Sequence, residues 1–222
     1  MREIVLDTET TGLSPGDSHR IVEIACVELL NHLPTGRRFQ SYFNPERDMP
    51  PEAEAVHGLS ESFLADKPLF AERVDELLAF LADSPLVIHN ADFDLRFLNA
   101  EFERLHRAPI PMDRAIDTVR MARSKFPGAP ANLDALCKRF GIDISDRAIH
   151  GALKDSLLLS QVYLELVGGR QPGLALATQV VQDTTAEARI ERHPRPHAPS
   201  PSELTDHAAF VRKLSEPIWS MD

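Results

Sequence analysis

Two carboxylates, two residues apart, close the first apolar run of the chain: Ile4-Val5-Leu6-Asp7-Thr8-Glu9-Thr10-Thr11-Gly12. Ile4, Val5 and Leu6 suit a strand buried on both faces. If that strand continues, Asp7 and Glu9 project to the same side, because side chains alternate along a strand. Two anions at the end of a buried strand repel each other. A hard divalent cation relieves the repulsion, since Mg²⁺ takes oxygen ligands from one or two carboxylates and from substrate phosphate. Alone, the pair is equally compatible with a polar turn in which Asp7 caps the next segment. Further acids add to it. Asp94 follows the apolar run Leu86-Val87-Ile88, and Asp155 stands among Leu153, Leu157 and Leu158, five residues after His150. Each has an ordinary reading: a helix-dipole acid at Asp94, a solvated helix residue at Asp155, a loop histidine at His150. No structural logic other than a shared site links the three segments.

These residues need elements to carry them. Arg20 to Leu30 reads as a second strand, Asn31 to Gly36 as a loop, and Arg37 to Asn44 as a third strand. Short connections make the first three strands an antiparallel meander. Pro45, Pro50 and Pro51 break the pattern, and Glu52 to Leu59 reads as a short helix ending in a loop. Phe70, Val74, Leu77, Leu78 and Leu81 recur at helical spacing, which predicts a helix over Phe70 to Ala82. Leu86 to Ile88 is a buried fourth strand, entered from a helix and therefore expected parallel to the first. The next helix carries Phe97, Leu98, Phe102 and Leu105 on one face. Ala115 to Asp117 is a fifth strand, followed by a helix to about Lys125. Asn132 can cap a helix over Leu133 to Phe140 that Gly141 closes. The last long helix runs from about Gly151 to Val167, where Gly168-Gly169 stop it. The expectation is a mixed α/β layer structure with three antiparallel and two parallel strands. Ligands in such sheets collect at the carboxyl ends of parallel strands. Asp7, Glu9 and the Asn90 to Asp94 segment fall there.

Length and composition agree with an ordinary soluble domain. The chain has 222 residues, 43% of them hydrophobic and 26% charged. No apolar run approaches the roughly 20 residues that span a bilayer. Met1-Arg2-Glu3 leads straight into the first strand, so no secretory signal is expected. Cys26 and Cys137 are not spaced as a metal-binding pair, and buried, reduced thiols in a cytoplasmic protein are expected. A net charge of −10 excludes a broad basic nucleic-acid groove. An acidic chain can still hold a phosphate backbone through bound cations and a few local contacts. It would then bind weakly by itself and need another protein for grip.

Asp7-Thr8-Glu9-Thr10-Thr11-Gly12, His89-Asn90-Ala91-Asp92-Phe93-Asp94 and His150-Gly151-Ala152-Leu153-Lys154-Asp155 resemble, in order and spacing, the three motifs of the DEDDh superfamily. These are 3′→5′ exonucleases with a ribonuclease-H-like fold, and the likeness covers residues 1 to about 168. The histidine five before the last aspartate marks the DEDDh branch. Val56-His57-Gly58-Leu59 also resembles a segment of proofreading ε subunits of bacterial DNA polymerase III. The resemblance implies that Asp7, Glu9, Asp94 and Asp155 hold two Mg²⁺ or Mn²⁺ ions, and that His150 takes the proton of the attacking water. It implies that Asp7, Glu9, Thr8, Glu52, Ala53, His57, Asn90, Phe93 and Asp155 bind the terminal nucleotide of a single-stranded or frayed 3′ DNA end. Phe93 is equally readable as a core phenylalanine. The product would be a nucleoside 5′-monophosphate. An RNA-trimming exonuclease of the same superfamily and a catalytically idle adaptor between polymerase and clamp are the alternatives. Only the tail favours replication over RNA trimming, and intact acids beside His150 count against the adaptor.

The tail changes character after the exonuclease domain, residues 1 to 169. Residues 170 to 201 are polar and punctuated by Pro194, Pro196 and Pro199, which reads as a flexible linker. Within it, Gln171, Leu174 and Leu176 resemble the short motif by which replication proteins dock on the β sliding clamp. In residues 202 to 222, Ser202 can cap a helix with Leu204, Ala208, Val211 and Leu214 on one face. So short a helix is marginal alone and is expected to fold on a partner's groove, with Trp219 as a candidate anchor. The ε resemblance implies that this segment binds the polymerase III α subunit, and it admits a small θ-like subunit as a further partner.

Overall fold

The computed structural model describes residues 1–145, 150–169 and 198–215. The chain divides into two units, Met1–Ala175 and Leu176–Asp222. The first unit begins with three strands: β1 (Arg2–Thr10), β2 (Ile21–Leu30) and β3 (Leu33–Tyr42). Helices α1 (Pro51–His57), α2 (Glu61–Leu64) and α3 (Phe70–Leu81) follow, then β4 (Leu86–Ile88) and α4 (Ala91–Arg104). Strand β5 (Ala115–Asp117) leads into α5 (Thr118–Lys125), α6 (Leu133–Phe140) and α7 (Ala152–Leu166). The sheet order is β3-β2-β1-β4-β5. Pairing is antiparallel for β1 with β2 and β2 with β3, and parallel for β1 with β4 and β4 with β5. This is the mixed sheet that the spacing of apolar runs predicts.

Alternation along β1 sorts the core into two layers. Ile4 and Leu6 face α3 and α4, packing with Val74, Leu77, Leu81, Leu95, Leu98 and Phe102. Val5 faces the other way, into a layer with Leu136, Cys137, Leu159, Val162 and Leu166 from α6 and α7. Cys26 and Cys137 are buried, one in each layer. Strand β1 is long and β4 short, and the two pair only at Ile4 with Leu86 and Val5 with Val87. Beyond Leu6, β1 continues without β4 beside it. Its pairing with β2 also shifts register between Glu9 and Thr10, the kind of irregularity that re-aims side chains next to a site.

The hairpin corrects one expectation. No loop separates β2 from β3 over residues 31 to 36. Leu30 pairs with Leu33 and Leu29 with Pro34. Asn31 and His32 alone make the turn, with φ of 50° and 67°. Positive φ at both central residues gives the primed turn whose twist matches the flanking strands. The strand start was masked because Leu33 to Arg38 are exposed and do not alternate. Pro34 sits where a proline belongs in a sheet, on an edge strand. The short helix α2, capped by Ser60, carries too few residues to show a period.

In the second unit the described residues form α8 (Pro201–Val211). It is capped by Ser200 in a reciprocal box with Glu203, with proline at its first turn, so Ser202 is not the cap. The helix also ends before Leu214. Proline is tolerated in the first turn because its missing N–H would have no partner there. Leu204 and Phe210 are exposed on α8. No helix among the described residues is long and apolar enough to cross a membrane. Gln171, Leu174, Leu176 and Trp219 lie outside the described residues.

Candidate active site

The carboxyl end of β1 is the centre of the site. Asp7 and Glu9 point to the α7 side of the sheet, the face of Val5. Asp155 rises from the first turn of α7 to meet them. One ligand oxygen from each of the three lies within 4.8 Å of the others. The position of Asp155 follows from how α7 is pinned to the sheet. The Ala152 N–H donates to Glu23 Oε2 at 3.1 Å, which caps the helix from β2. Ser156 Oγ donates to the carbonyl of Ala25 at 3.3 Å. At the far end Tyr163 donates its hydroxyl proton to Glu3 Oε1 at 2.6 Å. Three polar contacts, all buried, thus hold one helix at a fixed register against β1 and β2.

Asp94 reaches the site from the other face. It lies in the first turn of α4, which the short β4 delivers to the end of β1. Thr8 Oγ1 donates to Asp94 Oδ1 at 2.7 Å. Asp94 is not part of the three-carboxylate group, but its charge is felt there. Burial, then the charges of Asp94, Glu9, Asp155 and Glu23, push the Asp7 carboxyl well above its ordinary range. Burial pushes Asp94 itself to about 7, against the pull of its bond from Thr8, and Asp117 adds to the rise. Anions so crowded hold their charge poorly until a cation joins them, because a like charge nearby disfavours ionisation. The donor set is all carboxylate oxygen, which suits a hard divalent ion. The residues present therefore fit such an ion.

His150 stands beside Asp155, with Nδ1 at 3.1 Å from Oδ2. Its ring is about half exposed, at 49%. Its backbone N–H donates to the carbonyl of Val56 in α1 at 3.2 Å. A cleft of about 270 Å³ joins His150 to Asp7, Asp155, His89, Asn132 and Asp134.

A second cavity, of about 580 Å³, is lined in part by Glu9. Thr8, Glu52, Ala53, His57 and Phe93 all line it, as the resemblance implies for a nucleotide pocket. Asn90 does not line it. That residue is the left-handed N-cap of α4, exposed, and its N–H donates to Asp117 Oδ1 at 3.3 Å. Phe93 lines the cavity and packs on Phe97 with ring centroids 5.1 Å apart. His57 is only 5% exposed. Its Nδ1 accepts the Leu59 N–H at 3.0 Å, and burial holds its pKa down. Sequence reasoning missed Leu13, Asp17, His19, Pro50 and Val56 on this wall and His89 and Asp134 in the cleft. His89 adjoins Asn90 within a quoted motif, so its proximity was readable. His19 follows a turn cluster and carries no periodic signal.

The comparisons with known proteins agree with this geometry. The family model described as "Exonuclease" matches residues 4–163, most of the chain. A DNA polymerase III subunit epsilon of Rickettsia felis is 50% identical over 227 residues, spanning 96% of this chain and 97% of the relative. Among solved structures, Exonuclease X in complex with 5′ overhanging duplex DNA is 27% identical, with a TM-score of 0.58 over 74% of this chain and 90% of that one. The nuclease domain of 3′hExo, described as a DEDDh family member bound to rAMP, shares the fold at 19% identity, with a TM-score of 0.64 over 75% of this chain and 91% of that one. With the acids of separate segments gathered at one strand end, the family model over residues 4–163 and the epsilon-subunit likeness over 96% of the chain, the chain belongs to the exonuclease family, among the DNA polymerase III epsilon subunits.

Proposed function

We propose that this chain is the 3′→5′ proofreading exonuclease of a replicative DNA polymerase, releasing nucleoside 5′-monophosphates from single-stranded or frayed 3′ DNA ends. The observation that carries the reading is the meeting of Asp7, Glu9 and Asp155 within 4.8 Å, with His150 against Asp155. Asp7, Glu9 and Asp155, with Asp94 behind them, would hold two Mg²⁺ or Mn²⁺ ions. Bound there, such ions supply the positive charge that stabilises the attacking and leaving oxygens of an in-line displacement.

The chain's own residues supply the rest. Asp155 Oδ2 holds a proton on His150 Nδ1, which leaves Nε2 as the base. Water oxygen attacks the phosphorus of the terminal nucleotide, its proton passes to His150, the bond from phosphorus to the penultimate O3′ breaks, and that oxygen takes a proton from solvent to become the new 3′-hydroxyl. A positioned base of this kind contributes about 10²–10⁴-fold. Thr8, Glu52, Ala53, His57 and Phe93 enclose the departing nucleotide. The exposed Leu204 and Phe210 of α8 support binding of the polymerase α subunit by residues 202 to 222. Binding of the sliding clamp through Gln171, Leu174 and Leu176 in a 170 to 201 linker rests on the sequence motif, and a θ-like partner on the family likeness.

Asp155→Ala, assayed on a mismatched primer with Mn²⁺ and checked by circular dichroism, tests the core of this reading. Loss of trimming in a folded protein is expected. Wild-type release of products other than 5′-monophosphates, or full activity in the variant, would overturn it.

A further inference from the structure

The cavity beside Glu9 has a wall that the site described so far does not use: His19 and the loop after β1. The hydrogen bonds around Thr11 organise that loop. Thr11 is fully buried. Its N–H donates to the carbonyl of Arg20 at 2.9 Å, and its Oγ1 accepts the Arg20 N–H at 3.0 Å. Arg20 is itself fixed, with Nε and Nη2 on the two carboxylate oxygens of Glu101 at 2.7 and 2.9 Å. Thr11 Oγ1 also lies 3.0 Å from His19 Nδ1. Having accepted from Arg20, the buried hydroxyl still has a proton to place, and Nδ1 is the acceptor within reach. The network therefore assigns the histidine proton to Nε2.

Gly12 makes room for this ring. A Cβ at Gly12 would lie 2.4 to 2.5 Å from Cε1, Nε2 and Nδ1 of His19. Gly12 is not among the residues with positive φ, so glycine stands there for the close approach of the imidazole and not for its backbone freedom. A ring clamped on Thr11 and laid on a glycine is held at the cavity wall, beside Leu13 and Asp17.

Glu9 belongs both to the three-carboxylate group and to this cavity, so a nucleotide whose phosphate is at the acids would enter the cavity past Glu9. Gly12 and His19 line the same cavity as Glu9, which places them within reach of a base that enters it. Resting on the proposed exonuclease reading, we infer that His19 contacts the base of the terminal nucleotide, its Nε2–H donating to the minor-groove edge. Every base carries an acceptor there, purine N3 or pyrimidine O2. An enzyme that must remove any of the four terminal nucleotides gains a hydrogen bond from that edge without choosing between them.

The test compares two competitive inhibitors of trimming in Mn²⁺, dTMP and deoxyribose 5-phosphate, which lacks the base. His19→Phe is expected to weaken dTMP about five- to tenfold and to leave deoxyribose 5-phosphate unchanged. His19→Gln, which keeps a donor, is expected to recover most of the loss. Equal effects on both inhibitors, or none, would overturn the assignment. The wild-type protein gives an independent readout: the His19 Nε2–H signal in ¹H–¹⁵N spectra should move on adding dTMP and not deoxyribose 5-phosphate. A signal that stays put on adding dTMP refutes the contact even if His19→Phe proves unstable. Failure of the exonuclease reading would look different, because the wild-type chain would then neither trim DNA nor be inhibited by dTMP.

Discussion

The two faces of β1 bring acids to one place by different means. On the α7 side, Asp7, Glu9 and Asp155 approach within 4.8 Å, and His150 Nδ1 stands 3.1 Å from Asp155 Oδ2. On the α4 side, Asp94 lies outside that close group and accepts from the Thr8 hydroxyl at 2.7 Å, yet its charge is the first of those that raise the Asp7 carboxyl. The first arrangement concentrates charge that needs a cation. The second stores a carboxyl whose pKa lies near 7, close to its switching point, and steadies it with a neutral donor. The ion set proposed above therefore draws on both faces, with a close group on one and a hydrogen-bonded carboxyl on the other.

The largest effect should come from the α7 side. Asp7→Ala is expected to cut single-strand trimming by more than about 10³-fold, as for groups that act as a unit, with circular dichroism unchanged. If Asp94→Ala proves more damaging than Asp7→Ala, the contrast between the faces is wrong. Next is the proton acceptor. His150→Ala should lower kcat about 10²–10⁴-fold while Mn²⁺ affinity, measured calorimetrically, changes little. A parallel collapse of metal binding would make His150 a ligand.

These assignments show how far the sequence could be read. The alternation of β1 put Asp7 and Glu9 on one side, and the structure agrees. The leucines around Asp155 correctly placed it on a packed helix. What escaped was contact across layers. Nothing in the spacing says that Thr8, on the opposite side of β1 from Asp7, would bond Asp94 eighty-six residues later. Asn90 sits in a motif, but nothing in the spacing says that its backbone is left-handed and caps α4. Strand β3 began earlier than expected because an exposed edge strand has no apolar side to reveal it.

Two smaller effects probe the α4 side. Thr8→Val removes a bond to a carboxylate, of a type that contributes about 1.5–3 kcal/mol when the acceptor is charged. Asp94 should then hold its proton to higher pH, and the rising limb of the trimming–pH profile should move in the alkaline direction. An unmoved profile would detach Asp94 from catalysis. In metal-stripped protein, Asp94 keeps its proton to about 7 when folded, against an ordinary value of 3.8. The folded state thus binds the proton more tightly, and stability is lost as pH rises from about 4 towards 7. Thermal unfolding in chelator should give a lower Tm at pH 8 than at pH 5.5, and Asp94→Asn should flatten that slope. Added Mn²⁺ should raise Tm more at pH 8, where the acids are charged.

The early parting of β1 from β4 has one more consequence. The gap at which the acids gather is framed by main chain, since β4 ends after three residues and β1 runs on. Point changes that disarm the chemistry leave that frame standing.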